Sequence, residues 1–239
     1  MSRTPAKPFS HPMRKSEIIF GWIFLPVFVL LLPRATAFFC IRVLVRYWPG
    51  LDSAHLNFLF FALGFVILTV CMFSFLRESF HDLLDNLLNT VKALFICFVL
   101  YYLLLYVVNL LCILTVGDAI NSNEENVRAA AELNSNVMLA VAVIIGPIVE
   151  ETLFRGVVFG SIRRKNRLLA YAVSCLLFSL YHIWQYFPDS FDWMYLMYLL
   201  QYIPGGICLA MAYERGGSIW SSIMLHSLIN FISMQAMSL

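Results

Sequence analysis

Ile144-Ile145-Gly146-Pro147-Ile148-Val149-Glu150-Glu151-Thr152-Leu153-Phe154-Arg155 sets three charged side chains in the middle of an apolar run that extends from about residue 137 to 160. A helix that crosses hydrocarbon needs about 20 mostly apolar residues, because lipid offers the backbone no hydrogen-bonding partners. The run has that length. An ionised carboxylate near the centre of such a helix costs about 2.5–3.5 kcal/mol, so Glu150 and Glu151 are expected to face protein and to do work there. Glu151 and Arg155 stand at i and i+4, where a carboxylate and a guanidinium pair and share their desolvation. Glu150 points about 100° away, outside that clamp. A purely structural salt bridge therefore explains Glu151 with Arg155 and leaves Glu150 as the candidate functional acid. Directly before them, Gly146 removes side-chain bulk and Pro147 cannot donate to the carbonyl of Val143, so a kink with room for water is expected.

Outward from this stretch the composition is that of a membrane protein: of 239 residues, 61% are hydrophobic and 13% charged, against roughly 25% charged in a soluble domain. Apolar windows near residues 17–33, 56–76, 93–116, 137–160, 168–187, 193–213 and 218–237 predict an all-α, polytopic transmembrane helix bundle of seven or eight spans. The eighth is the ambiguous stretch 34–49, apolar but carrying Arg34, Arg42 and Arg46, which reads as a short span or an interfacial helix. Arg163, Arg164, Lys165 and Arg167 fill one short connection, whereas Asp118, Glu124, Glu125 and Glu132 face only Arg128 in the connection 117–136. The positive-inside rule puts the first in the cytoplasm and the second outside, with the N-terminus (Arg3, Lys7, Arg14, Lys15) cytoplasmic. The basic start and Ala35-Thr36-Ala37 imitate a cleavable signal peptide, but several spans follow and Arg34 crowds the would-be cleavage site, so a retained helix is expected. No tail motif for retention, prenylation or a glycolipid anchor is read. The six cysteines all fall in apolar stretches without zinc-like spacing and read as core residues. No basic stripe interleaved with aromatics suggests a nucleic-acid partner.

Two later spans carry pairs of residues one helical turn apart: Phe178 with His182, and His226 with Asn230. A lone histidine on an apolar face is more often a satisfied core residue, but three late spans each holding their uncommon polar groups well inside the apolar run predict a shared buried site. His11, His55 and His81 fall in or beside polar connections and receive no role. Trp184, Trp193 and Trp220 read as interfacial anchors near span ends. Pro204-Gly205-Gly206 is expected to break its span and admit a substrate backbone. Lys92 and Lys165 lie at span edges, and Ser179, Ser221, Ser222 and Ser227 lack a paired base, which argues against nucleophilic catalysis.

The ordered set Glu150-Glu151-x-x-x-Arg155, Phe178-x-x-x-His182 and His226-x-x-x-Asn230 resembles the CAAX protease and bacteriocin-processing family of intramembrane proteases. The resemblance covers about residues 137–237 and divides the chain into N-terminal membrane helices, 1–136, which match only in being membranous, and a catalytic four-helix core, 137–239. Gly216-Gly217-Ser218 fits the small-residue turn common before the last span. The resemblance implies an endopeptidase that hydrolyses a peptide bond within the membrane by a glutamate-activated water, without an acyl intermediate. Carried over residue by residue, it makes Glu150 the general base, His182 a group that holds and polarises the water, and His226 with Asn230 the oxyanion donors. Glu151, Arg155 and Phe178 support them.

Two rivals stand beside this reading. One carboxylate and two imidazoles also make a credible zinc shell, although the HExxH helix is missing, so the expected cofactor is none with zinc as the alternative. A non-enzymatic immunity or scaffold protein, or a transporter, would instead use Glu150 and the histidines to bind an ion or a partner; no second copy of the motifs supports an internal repeat. The expected partners are membrane lipids and a peptide or protein cleaved near the membrane, and the expected setting is a bacterial plasma membrane. Nothing in the residues selects the substrate, prenylated or otherwise.

Overall fold

The computed structural model describes residues 13–117, 121–186 and 193–237, and the elements among them are all helical, as expected. In chain order they are α1 (Lys15–Arg46), α2 (Ser53–Cys71), α3 (Phe73–Asp85), α4 (Leu87–Val116), α5 (Ser122–Leu133), α6 (Ser135–Arg163), α7 (Arg167–Ile183), α8 (Trp193–Gly216) and α9 (Ile219–Met237). Four helices begin at a residue whose side chain accepts a free backbone N–H of the first turn: Asp52 from His55 at 3.0 Å, Asn121 from Asn123 at 3.0 Å, Asn134 from Val137 at 3.3 Å and Asn166 from Leu169 at 3.0 Å. The expectations for Arg3, Lys7, His11, Asp118 and the Trp193 side chain lie outside the described residues and side chains.

Two differences from the expected spans have clear physical causes. Residues 34–49 form no separate helix, because α1 continues through them to Arg46 as one element of 32 residues. Pro26 and Pro33 each lack a backbone donor, and between them the helix loosens into a π turn at Val27–Leu31 instead of ending. At 1.5 Å per residue it is about 48 Å long, more than the roughly 30 Å of a hydrocarbon core. Six of the helices are long and apolar enough to cross a membrane: α1, α2, α4, α6, α7 and α8. The seventh expected span, α9, is diluted by Ser221, Ser222, His226, Ser227 and Asn230. Its polar side packs against α4, α6 and α8, while Met224, Leu228 and Phe231 stay exposed on the outer side.

One end of the bundle gathers the basic residues. Arg163 and Arg167 both pair with Glu214 at the end of α8, Tyr171 donates to the same carboxylate at 2.9 Å, and Arg164 donates to the Met13 carbonyl at 3.2 Å. The amphipathic α3 closes this end: Ser218 Oγ donates to the Ser79 carbonyl at 2.6 Å and Trp220 Nε1 to that of Leu76 at 3.1 Å. Trp220 is thus near a span end, as expected, but is tied to α3. Gly217 takes a φ of 76° in the turn before α9, a conformation that only glycine adopts without strain. The other end carries Asp52 and the glutamates of α5. His55 is not merely solvated there, since its Nδ1 lies 2.8 Å from Asp52 Oδ1. The main core runs through the bundle from Met13 to Ile229, and α6 is its axis. More than half of the apolar window of α6 is buried inside the protein (56%), against 11% for α4, whose outer face is free for lipid.

α6 is interrupted twice, by π turns at Val141–Ile145 and Thr152–Phe159, which flank the straight segment Gly146–Glu151. The first follows from the expected Gly146-Pro147 pair. Gly146 N–H reaches back five residues to the Val141 carbonyl, and continuing that pattern would require the Ala142 carbonyl to accept from residue 147, which is proline and has no N–H. A Cβ at Gly146 would sit 2.9 Å from the Val141 oxygen, so only glycine fits this crossing.

Candidate active site

The two glutamates of α6 part as expected, but Glu151 has more to hold than Arg155. Glu151 Oε1 accepts from Arg155 Nη1 at 2.9 Å and lies 2.8 Å from His226 Nδ1 on α9, while its other oxygen accepts from Ser222 Oγ. Both Glu151 and Arg155 are fully buried. The guanidinium is boxed further by the Phe178 ring, 4.0 Å from Cζ to the ring centre, and by the carbonyls of Gly205 and Gly206, each 3.5 Å from Nη2. These contacts correct the expected break at Pro204-Gly205-Gly206. α8 runs unbroken through that tripeptide, and Gly206 instead allows α8 to approach α7, where a Cβ would meet Cys175 Sγ at 3.0 Å.

Glu150 is also buried, at 7% exposure, and lies at the other nitrogen of the His226 ring. Its Oε2 lies 3.9 Å from His182 Nε2 and 3.9 Å from His226 Nε2, with the Tyr181 hydroxyl beside it. The structure therefore brings Glu150, His182 and His226 together. Each imidazole is oriented by its other nitrogen: His182 Nδ1 lies 2.8 Å from the Phe178 carbonyl, and His226 Nδ1 meets Glu151. A carbonyl and a paired carboxylate only accept, so both Nδ1 atoms carry hydrogen and both Nε2 atoms turn toward Glu150. With both carboxylates ionised and Arg155 positive, the buried cluster holds one net negative charge. A single proton shared between Glu150 and the imidazoles neutralises it.

Asn230 sits one turn beyond His226, and its Nδ2 donates to the Ala142 carbonyl at 2.8 Å. That is the oxygen left without a backbone donor by Pro147, so the amide satisfies it and fixes the rotation of α9 against α6. The second amide hydrogen and Oδ1 remain for the cavity that Asn230 lines. Replacing Asn230 by Ala is expected to cost about 1–3 kcal/mol, the price of a buried acceptor with no partner. Supplying a backbone donor with Pro147→Ala in the same protein is expected to recover about 1 kcal/mol of that loss. Thermal unfolding of the two single variants and the double variant in detergent measures the coupling, and purely additive losses would refute this account of Asn230.

Neighbours that sequence reasoning left unassigned complete the surround. Tyr202 of α8 stacks on His182 with ring centres 4.4 Å apart and planes at 23°, and its hydroxyl accepts from Asn123 Nδ2 at 3.0 Å. Asn121 Nδ2 donates to Gln201 Oε1 at 2.9 Å, so α5 is latched over the site at two points. Tyr181 and Tyr202 carry no sequence signal beyond lying one residue before, or a span away from, a polar position. Two cavities flank the histidines. One, of about 450 Å³, contains Glu150 and runs between α1, α2, α6 and α7; the other, of about 400 Å³, lies between α4, α8 and α9. Glu124 of α5 borders both, and loss of solvation raises its carboxyl above the ordinary value, with Arg128 pulling the other way.

The same donors can be tested as a metal shell. A zinc ion held tetrahedrally at about 2.0–2.1 Å spaces its ligand atoms about 3.4 Å apart, whereas both Glu150-to-imidazole separations are 3.9 Å. Among the described residues no three His, Cys, Asp or Glu side chains are grouped to hold one ion. As placed, the residues do not form a tetrahedral zinc shell.

A profile described as Rce1-like, type II CAAX prenyl endopeptidase Rce1-like, matches residues 132–232. Helices α6 to α9, which supply Glu150, Glu151, Arg155, His182, His226 and Asn230, fall almost wholly within that range, and the resemblance drawn from the three motifs is borne out there. The chain is similar to "Putative membrane peptidase YdiL" of Bacillus subtilis (strain 168), 32% identical over 114 residues, which is 46% of this chain and 42% of YdiL. It is also similar to "UPF0177 protein YxdF" of Lactococcus lactis subsp. lactis (strain IL1403), 33% identical over 96 residues, 40% of this chain and 48% of YxdF. The chain thus matches less than half the length of either curated relative. No solved structure matches it. With its match to the Rce1-like profile and, among the described residues, six helices able to cross a bilayer, the chain is an integral, multi-pass membrane protein, and both relatives are bacterial.

Proposed function

We propose that this protein is an intramembrane endopeptidase that cleaves a membrane-associated peptide with a water activated by Glu150, without a metal cofactor. The observation that carries the proposal is a buried carboxylate standing 3.9 Å from each of two imidazole Nε2 atoms. That separation fits one oxygen atom hydrogen-bonded at about 2.8 Å to Glu150 and to a ring. A water placed there gives one proton to Glu150 as its oxygen attacks the substrate carbonyl, and its other hydrogen points to His182 Nε2. The C–O bond forms and the carbonyl becomes an oxyanion. It is met by His226 Nε2, protonated with the cluster's shared proton, and by the spare N–H of Asn230, donors typically worth about 2.7–4 kcal/mol in such a role. Glu150 then passes its proton to the departing amine as the C–N bond breaks.

Glu151 and Arg155 are positioning residues in this scheme, since Glu151 holds His226 by Nδ1 and Arg155 compensates its charge. Helices α6 to α9 supply the reacting groups, and α1, α2, α4 and α5 supply walls. The Rce1-like match supports peptide hydrolysis, and a peptide arriving within the bilayer suits a site enclosed by apolar helices. Comparative proteomics of membrane peptides from cells carrying the wild type or Glu150→Gln tests the reading and identifies the substrate: loss of a defined set of cleavages is expected, and identical peptide sets would sink it. Purified enzyme is expected to keep its activity after exhaustive chelation. Stoichiometric zinc that leaves together with activity would overturn the metal-free mechanism.

A further inference from the structure

α4 is a 30-residue apolar helix, and Asn109 is out of place in it. An amide in a membrane span is costly unless it finds a partner, yet Asn109 is exposed and its side chain hydrogen-bonds no other described residue. It occurs on one stripe of α4 with Tyr101 and Leu105, four residues apart, and this stripe lines the cavity of about 400 Å³ opposite His226, Asn230 and Ser233 of α9. The two helices are pinned together at the basic end, where Thr90 Oγ1 lies 3.0 Å from Ser221 Oγ and 3.3 Å from the Gly216 carbonyl. Farther along, the cavity separates them. The result is a crevice that is closed at one end, ends at the catalytic histidines, and has carboxamides on all three of its helices: Asn109 on α4, Gln201 on α8 and Asn230 on α9.

A peptide must leave the helical state before its scissile carbonyl is open to attack, and within a membrane each backbone group so freed costs several kcal/mol unless it is re-paired. A carboxamide presents a donor and an acceptor side by side, the same pair that an unwound peptide group presents. Gln201 keeps its Nε2 donors while its oxygen is held by Asn121, and Asn109 keeps both functions. We propose that the crevice between α4 and α9 receives the unwound backbone of a membrane-inserted substrate beside the scissile bond, and that Asn109 pairs with one of its peptide groups. The inference rests on the proteolytic reading, because it names what that site holds.

The test uses full-length protein and a quenched-fluorescent peptide built on a cleavage that Glu150→Gln abolishes. Asn109→Leu is expected to raise KM roughly tenfold, the loss of a hydrogen bond or two to substrate, with kcat within about twofold of wild type, and Asn109→Gln to recover part of the KM. An unchanged KM for Asn109→Leu overturns the crevice while leaving proteolysis intact; normal cleavage by Glu150→Gln overturns proteolysis itself. A second measurement is independent of variant kinetics. A benzophenone amino acid replacing Leu105, which lines the crevice, in Glu150→Gln protein is expected to form photo-adducts with the peptides whose cleavage is lost. The same probe replacing Leu103, 60% exposed and on the opposite face, should not. Equal labelling from both positions, or none from 105, removes the proposal.

Discussion

Glu150→Gln protein is expected to accumulate in the membrane at wild-type levels and to cleave its substrate 10²- to 10⁴-fold more slowly, the usual contribution of a positioned general base. The amide has nearly the shape of the carboxylate, so the packing beside Tyr181 and the two imidazoles is kept. Removing a charge from a buried position costs the fold nothing and relieves desolvation. Activity and stability should therefore move in opposite directions, which separates this group from one that merely holds the bundle together. A parallel fall in unfolding temperature and activity would instead make Glu150 a structural residue. His226→Gln offers no such clean separation, because its imidazole also ties α9 to Glu151 of α6 through Nδ1.

Arg155→Met is expected to be the most destabilising single change in the molecule, by about 3–5 kcal/mol, the cost of leaving a buried charge without its partner. Methionine fills most of the space over Phe178, but Glu151 is then fully buried with only His226 and Ser222 against it. The native state would be depleted before any substrate is met, visible as a large drop in detergent unfolding temperature. Neutralising both members with Glu151→Gln and Arg155→Met should return more than half of the lost stability, since paired removal takes away the charge that was stranded. It should not return activity, because His226 loses the carboxylate that turns its Nε2 toward Glu150. A double variant as unstable as the single one would show that Arg155 acts through packing alone.

The positions of Glu150, Glu151, His182 and His226 were legible in the amino-acid sequence because lipid penalises polar side chains so heavily that each one surviving in an apolar run advertises a protein-facing role. Spacing along one helix was legible for the same reason: Glu151 with Arg155 obeys the i, i+4 rule without reference to any other element. Contacts between helices were not, since they depend on how each helix is rotated and how deep it sits. Glu151 reaching His226, Tyr202 stacking on His182 and the α5 latch all belong to that class. Residues 34–49 and Pro204-Gly205-Gly206 misled for a related reason. Proline and glycine punctuate helices in water, and arginine marks a lipid boundary, whereas in α1 and α8 the surrounding helices and a π turn absorb them.

Pro147 lends the bundle a key cut on one side only. The imide ring leaves a lone oxygen projecting from α6, and a side chain 88 positions later is the tooth that enters it. Anyone grafting this chemistry onto another set of helices must move Pro147 and Asn230 as a unit: the notch without its tooth exposes a bare acceptor to hydrocarbon, and the tooth without its notch allows the last helix to turn and carry His226 away from the acid it serves.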